Sequence, residues 1–143
     1  MIQGLFDSGA MPVLERMAQF TQQRHRALAH NIANLSTPYF KPVDLDTGAF
    51  QQALGDAIDQ RRARVGGDGA LPLTDTRELT FGADRLQTRP QRTNEGVLFH
   101  DENNRDLERI MQHLAENSLV HNTAIELIRN QFDMLRTAIR ERV

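Results

Sequence analysis

The 143-residue chain has no cysteine, no tryptophan, one tyrosine and one lysine, Lys41. Without cysteine, disulfides and thiol chemistry are excluded, and the redox compartment stays open. Serine is nearly as scarce: Ser8, Ser36 and Ser118, none in a Gly-x-Ser-x-Gly elbow. The glycine cluster Gly66-Gly67-Asp68-Gly69 lacks the lysine and flanking strand of a phosphate loop. Five histidines, His25, His30, His100, His113 and His121, fall at no metal-ligating spacing. The run Asp101-Glu102-Asn103-Asn104-Arg105-Asp106 begins like a calcium loop. It fails because Arg105 takes a ligand position and Asp106 that of the turn glycine. No stretch approaches the roughly 18 apolar residues of a membrane span, and residues 1–11 lack the basic and apolar regions of a secretory signal. A formal net charge of −2 makes no case for nucleic acid or an acidic membrane surface. The expectation is a protein with no catalytic residue, no cofactor, no metal, no nucleic acid and no small-molecule substrate.

What the chain does have is helical periodicity at both ends. Apolar residues make up 39% of it and mean hydropathy is −0.53, so its own core is thin. One stripe reads Met11, Leu14, Ala18, Thr21, His25, Leu28, Ile32, Leu35. A second reads Leu107, Met111, Leu114, Ser118, His121, Ile125, Ile128, Phe132, Leu135, Ile139. Steps of three and four keep a narrow seam facing a partner helix. The spacing predicts helices of about 25 and about 36 residues, roughly 37 and 54 Å long. Neither folds usefully alone in water, so each needs the other or a neighbour. Thr21, His25, Ser118 and His121 interrupt the seams, and the plain expectation is that they lie at the edge and reach water. Polar seam residues can also fix register.

Pro12 suits a first helical turn, with Asp7 or Ser8 as cap. Acids and Asn104 crowd the start of the last helix, and Arg136, Arg140 and Arg142 its end, as the helix dipole favours. Three stretches follow: 1–41 with the first helix, an irregular middle over 42–100, and 101–143 with the last helix, together one structural unit. Within the middle, a short helix is expected over residues 48–65 with Phe50, Leu54, Ala57 and Ile58 on one face. A break follows at residues 66–69. Residues 71–73 and 79–81 alternate as short extended pieces would, and Pro90 argues against a central strand there.

The first helix stops abruptly in Asn31-Ile32-Ala33-Asn34-Leu35-Ser36-Thr37-Pro38-Tyr39-Phe40-Lys41-Pro42. Thr37 precedes proline and is pushed towards extended backbone. Pro38 has no N–H to continue the ladder. Asn34 or Asn31 can tolerate left-handed geometry or bond the orphaned carbonyls. An ordinary helix stop accounts for all of this locally.

These residues also resemble the signature of bacterial flagellar axial proteins, Asn-Ile-Ala-Asn-x-x-Thr-Pro-Gly-Tyr-Lys. Asp44-Leu45-Asp46, the run from Asp101 to Glu108, Ala115-Glu116-Asn117 and the segment from Phe132 to Arg140 resemble elements of the flagellar basal-body rod family, nearest its proximal rod type. The likeness covers roughly residues 11–46 and 97–142. It implies a mostly α fold whose long N- and C-terminal helices pair as an antiparallel coiled coil, with an irregular middle of one short helix and possible short strands. It carries over Asn31, Ile32, Ala33, Asn34, Thr37, Pro38 and Lys41 as a structural motif. Leu14, Leu28, Ile32, Leu35, Leu114, Ile125, Ile128, Phe132, Leu135 and Ile139 form the helix seam beside it. The function it implies is a self-assembling rod subunit that transmits torque. Its partners would be other rod subunits, copies of itself, and inner-membrane ring and export-gate components. It would lie in the basal body, exported without a cleaved signal peptide. The alternatives are another axial subunit of rod or hook, or a cytoplasmic helical-hairpin adaptor or secretion chaperone. The chain departs from the signature at Tyr39, where the family has glycine, at Phe40, where it has tyrosine, and at Glu102 and Arg105. Because a non-glycine residue adopts positive φ only at a cost, Tyr39 is expected to have negative φ and a turn unlike the family's.

Overall fold

The computed structural model describes residues 9–64, 70–82, 85–92 and 107–140. Three helices carry most of it: α1 (Met11–Ala33), α2 (Thr47–Ala63) and α3 (Leu107–Arg140). Four short strands complete it: β1 (Val43–Asp44), β2 (Leu79–Phe81), β3 (Leu86–Thr88) and β4 (Gln91–Arg92). β1 pairs antiparallel with β4, Val43 opposite Arg92, and β2 with β3, Leu79 opposite Thr88. The chain is mostly helical, as its periodicity predicts. The candidate caps Asp7, Ser8 and Asn104, the glycine cluster and residues 97–99 lie outside the described residues.

Pro12 opens α1 as expected, behind Ala10, which makes no side-chain cap bond. Leu14 N–H donates to the Ala10 carbonyl at 3.1 Å to start the ladder. α2 begins within one residue of its expected start because Asp46 caps it, Oδ1 accepting from Ala49 N–H at 2.9 Å.

α1 is used on two sides. One side meets the middle segment: Phe20, Leu45, Phe50, Leu54, Leu79 and Leu86 form the main buried cluster, flanked by Val13, Met17, Ile58, Leu71, Leu73 and Phe81. The Phe20 and Phe50 rings lie parallel with centroids 4.0 Å apart, fastening α2 to α1. Arg16 ties the β2–β3 hairpin to α1 by donating to the Gly82 carbonyl at 2.9 Å. At the far end of α2, buried Arg61 donates to the Gly9 carbonyl at 2.7 Å.

The other side of α1 meets α3, and the two run antiparallel. Thr21 contacts Asn117 and His121, and the Arg24–Asp44 pair lies beside His113. Leu28 and Ile110 line the same cleft. The residues of α3 turned furthest inward are Ile110, Asn117 and Ala124, seven apart. Leu114, His121, Ile128 and Leu135 are half-buried beside them. Met111 falls on an exposed flank, while Phe132 and Ile139, five full turns beyond Leu114 and His121, share the direction of the stripe but are exposed where α3 has passed the described start of α1. At this register α3 runs past the described start of α1 by about a dozen residues, roughly 18 Å.

Core and flank should respond differently to truncation. Phe20→Ala removes the ring stack and the centre of the cluster and is expected to cost about 3–5 kcal/mol. Leu119→Ala, at a side chain 69% exposed, should stay within about 0.5 kcal/mol. Urea unfolding followed by circular dichroism measures both, and equal losses would contradict the division.

Candidate assembly site at the helix break

The break is built from the last turn of α1 outward. Asn34 closes the helix: its N–H bonds the His30 carbonyl at 3.1 Å, and its side-chain Nδ2 donates to the same oxygen at 2.9 Å. The helix thus ends at Ala33, two residues before the apolar stripe does. Two turns follow. Thr37 N–H donates to the Asn34 carbonyl at 2.9 Å, and Phe40 N–H to the Thr37 carbonyl at 3.3 Å. The Phe40 ring meets the His30 ring edge-on, centroids 5.4 Å apart, turning the chain back over the end of α1.

The second turn overturns the expectation for Tyr39. Its φ is +60°, not negative. Pro38 stands at the second position of the turn and Tyr39 at the third, the arrangement of a type II turn, which demands positive φ there. The turn's hydrogen bond and the rigid proline outweigh the side-chain preference, at a local cost of about 1–2 kcal/mol. With the ring 75% exposed, the residue meets little steric resistance beyond its own backbone.

Past the turn, Asn31 reaches across the break. It is buried to 2% exposure. Its Nδ2 donates to the Val43 carbonyl at 2.7 Å, and its Oδ1 accepts from Val43 N–H at 3.0 Å. The side-chain amide thereby acts as a neighbouring strand would, satisfying both main-chain groups of Val43 on that side. Arg24, two turns earlier on α1, adds a two-pronged ion pair to Asp44, Nε to Oδ1 at 2.9 Å and Nη2 to Oδ2 at 2.7 Å. His113 of α3 places Nδ1 3.8 Å from the same Oδ2. Asp44 Oδ1 also accepts from Leu45 N–H at 2.7 Å. Three separated parts of the chain, α1, the segment after the break and α3, thus converge on one carboxylate. Glu78 completes the arrangement by accepting from Asp46 N–H at 3.0 Å.

The motif residues divide accordingly. Asn31 is buried, Ile32, Asn34 and Leu35 are half-buried, and Ala33, Thr37, Pro38 and Lys41 are exposed. Of the seam residues, Leu14 and Leu28 are buried, Leu114, Ile125, Ile128 and Leu135 half-buried, and Phe132 and Ile139 exposed. Spacing alone missed Asn31's grip on Val43, and also Asn117, which no apolar pattern can flag. Arg24 opposite Asp44 is likewise invisible without knowing that the chain folds back. Among the described residues no cluster of histidine and acid side chains has the geometry of a metal site, and no helix is long and apolar enough to cross a membrane.

Exposed apolar side chains flank the α1–α3 contact on both sides. Met111 lies to one side of the packed stripe; Val120, Leu127 and Met134, seven apart, lie to the other. The arrangement presents an exposed apolar line along α3 and a buttressed turn at the end of α1.

Two substitutions probe the break. Tyr39→Gly should raise unfolding stability by about 0.5–1 kcal/mol, the relief of left-handed strain less the entropy of glycine in the unfolded chain; a loss on urea unfolding would refute the strain. Asn31→Leu leaves both Val43 groups without their partner and should lower stability by about 1–3 kcal/mol in the same measurement. No family model matches the chain. It is 28% identical over 119 residues to the flagellar basal body rod protein FlgB of a strain of Cereibacter sphaeroides, covering 83% of this chain and 84% of that protein. FlgB of a second strain matches to the same extent, and a third FlgB sequence from the species is 27% identical over 119 residues.

Proposed function

We propose that this chain is a structural subunit of the bacterial flagellar basal-body rod, of the proximal rod type. The observation that carries the reading is the similarity to FlgB proteins over 119 residues of a 143-residue chain. A span of that length takes in the break at residues 31–46 wherever it begins. The architecture agrees with it: a long helix pair with a thin core, an exposed apolar ledge along α3, and a stiff turn at one end. In this reading the α1–α3 pairs of successive subunits make the wall of a tube that transmits torque, and the break turns the chain outward towards neighbours. An interface that joins one surface to a different one on the next copy grows into an open helical assembly. Other rod subunits, copies of this chain, and the inner-membrane ring and export gate are the partners. The protein reaches the basal body through the flagellar export apparatus without a cleaved signal peptide, and it carries out no catalysis.

Deleting the gene and imaging basal bodies by electron microscopy tests the reading. Rings without rods are expected; intact rods and normal motility would end it. Complementation with Leu127→Glu together with Met134→Glu should give a chain that is made and exported but leaves the rod unbuilt. Both side chains are exposed in the subunit, so a charged ledge blocks assembly without unfolding it. Full motility from that variant would show that the ledge is not an assembly surface.

A further inference from the structure

The centre of the α1–α3 seam is polar. Thr21 and Asn117 are each 3% exposed. Asn117 Nδ2 donates to the Thr21 carbonyl at 2.8 Å. The Thr21 hydroxyl lies 2.8 Å from the Met17 carbonyl, 3.1 Å from the Ala18 carbonyl and 2.8 Å from His121 Nδ1. A hydroxyl has one proton, and a carbonyl oxygen only accepts. The Thr21 proton therefore points back to Met17 and Ala18, and His121 Nδ1 must be the donor across the seam. His25, a seam candidate by spacing, is exposed and stands apart.

We infer that Thr21, Asn117 and His121 form a register lock, one polar layer that admits α3 to α1 in a single alignment. The inference stands on the helix pair itself and does not need the rod reading. Along α1 the facing line is Leu14, Thr21, Leu28; along α3 it is Ile110, Asn117, Ala124, with Leu114, His121 and Ile128 beside it. A slip of seven residues, about 10 Å, moves Thr21 onto Ala124 or Ile110, and in one direction it brings Gln131 against Leu14. The same slip sets Asn117 and His121 against Leu14 or Leu28: the Asn117 amide meets another backbone carbonyl, but the His121 Nδ1–H loses the hydroxyl that accepts from it. Loss of the hydroxyl–imidazole bond disfavours each slip, although the layer adds little to the stability of the correct alignment. The layer occurs once, so no second alignment satisfies it. It also fixes how far α3 projects beyond the start of α1.

The absence of cysteine makes the test direct. Gln22→Cys and Asn130→Cys, both at exposed positions, carry spin labels in the full chain, and pulsed electron paramagnetic resonance reads their separation. The otherwise unsubstituted chain should give one narrow distance. Adding Thr21→Val, Asn117→Leu and His121→Leu keeps the seam apolar and should add populations displaced by about one heptad, roughly 10 Å along the axis. A single unchanged distance in the apolar variant, or a broad distribution without it, overturns the lock. Nitrogen NMR of the otherwise native chain supplies a second reading that does not depend on the variant folding. His121 should carry its proton on Nδ1 when neutral, and a neutral ring protonated on Nε2 overturns the proposal.

Discussion

The amide of Asn31 holds the two directions of the chain together where α1 ends. Any helix stop can release the backbone; few dictate where it goes next. Here both polar groups of the Asn31 side chain are committed to the main chain of Val43, so the segment after the turn must lie alongside the helix it has left. Once it does, Asp44 falls against Arg24, Leu45 enters the core and Asp46 caps α2. Three consecutive residues each fasten a different element, and their order follows from the one amide. A charge pair as enclosed as Arg24–Asp44 adds little net stability but tolerates no vacancy, since losing one partner strands the other. It acts here as a constraint on position.

That return path explains how a chain with so little apolar content folds. α1 is the shared wall of two contacts. One is a compact apolar cluster with α2 and the β2–β3 hairpin; the other is a narrow strip along α3. The first resembles an ordinary domain core and depends on large side chains such as Phe20 and Phe50. The second has only Ile110, Asn117 and Ala124 fully covered on the α3 side. A helix of 34 residues held by so few buried positions draws its remaining stability from elsewhere, as long helices in water generally must.

The sequence made the long elements legible, because their signals are redundant. Stripes repeated over five or more turns define α1 and α3, and Pro12, Pro38 and the Asn34 region mark the bounds of α1 without reference to the rest. Single-residue geometry was less legible. The exact facing line of α3 depends on Asn117 and Ala124, a polar residue and a small one, which carry little weight in a hydrophobic pattern. Tyr39 shows a different failure. Side-chain preference argues for negative φ, but the turn is set by Pro38 and by the bond from Phe40 to Thr37, and the local conformation follows the turn. The partnership of Asn31 with Val43 spans twelve residues and cannot be read from any local pattern.

The centre and the edges of α3 perform opposed tasks. The centre is selective: Asn117 and His121 recognise Thr21 by directed hydrogen bonds, and hydrogen bonds discriminate more sharply than they attract. The edges are permissive: Val120, Leu127 and Met134 on one side and Met111 on the other offer area without direction. Apolar contact of that kind grows with the surface covered and tolerates modest differences in partner shape. The directed bonds thus lie between the two helices and the undirected surface lies outside them, so the polar contacts govern how α3 sits on α1 while the exposed edges do not.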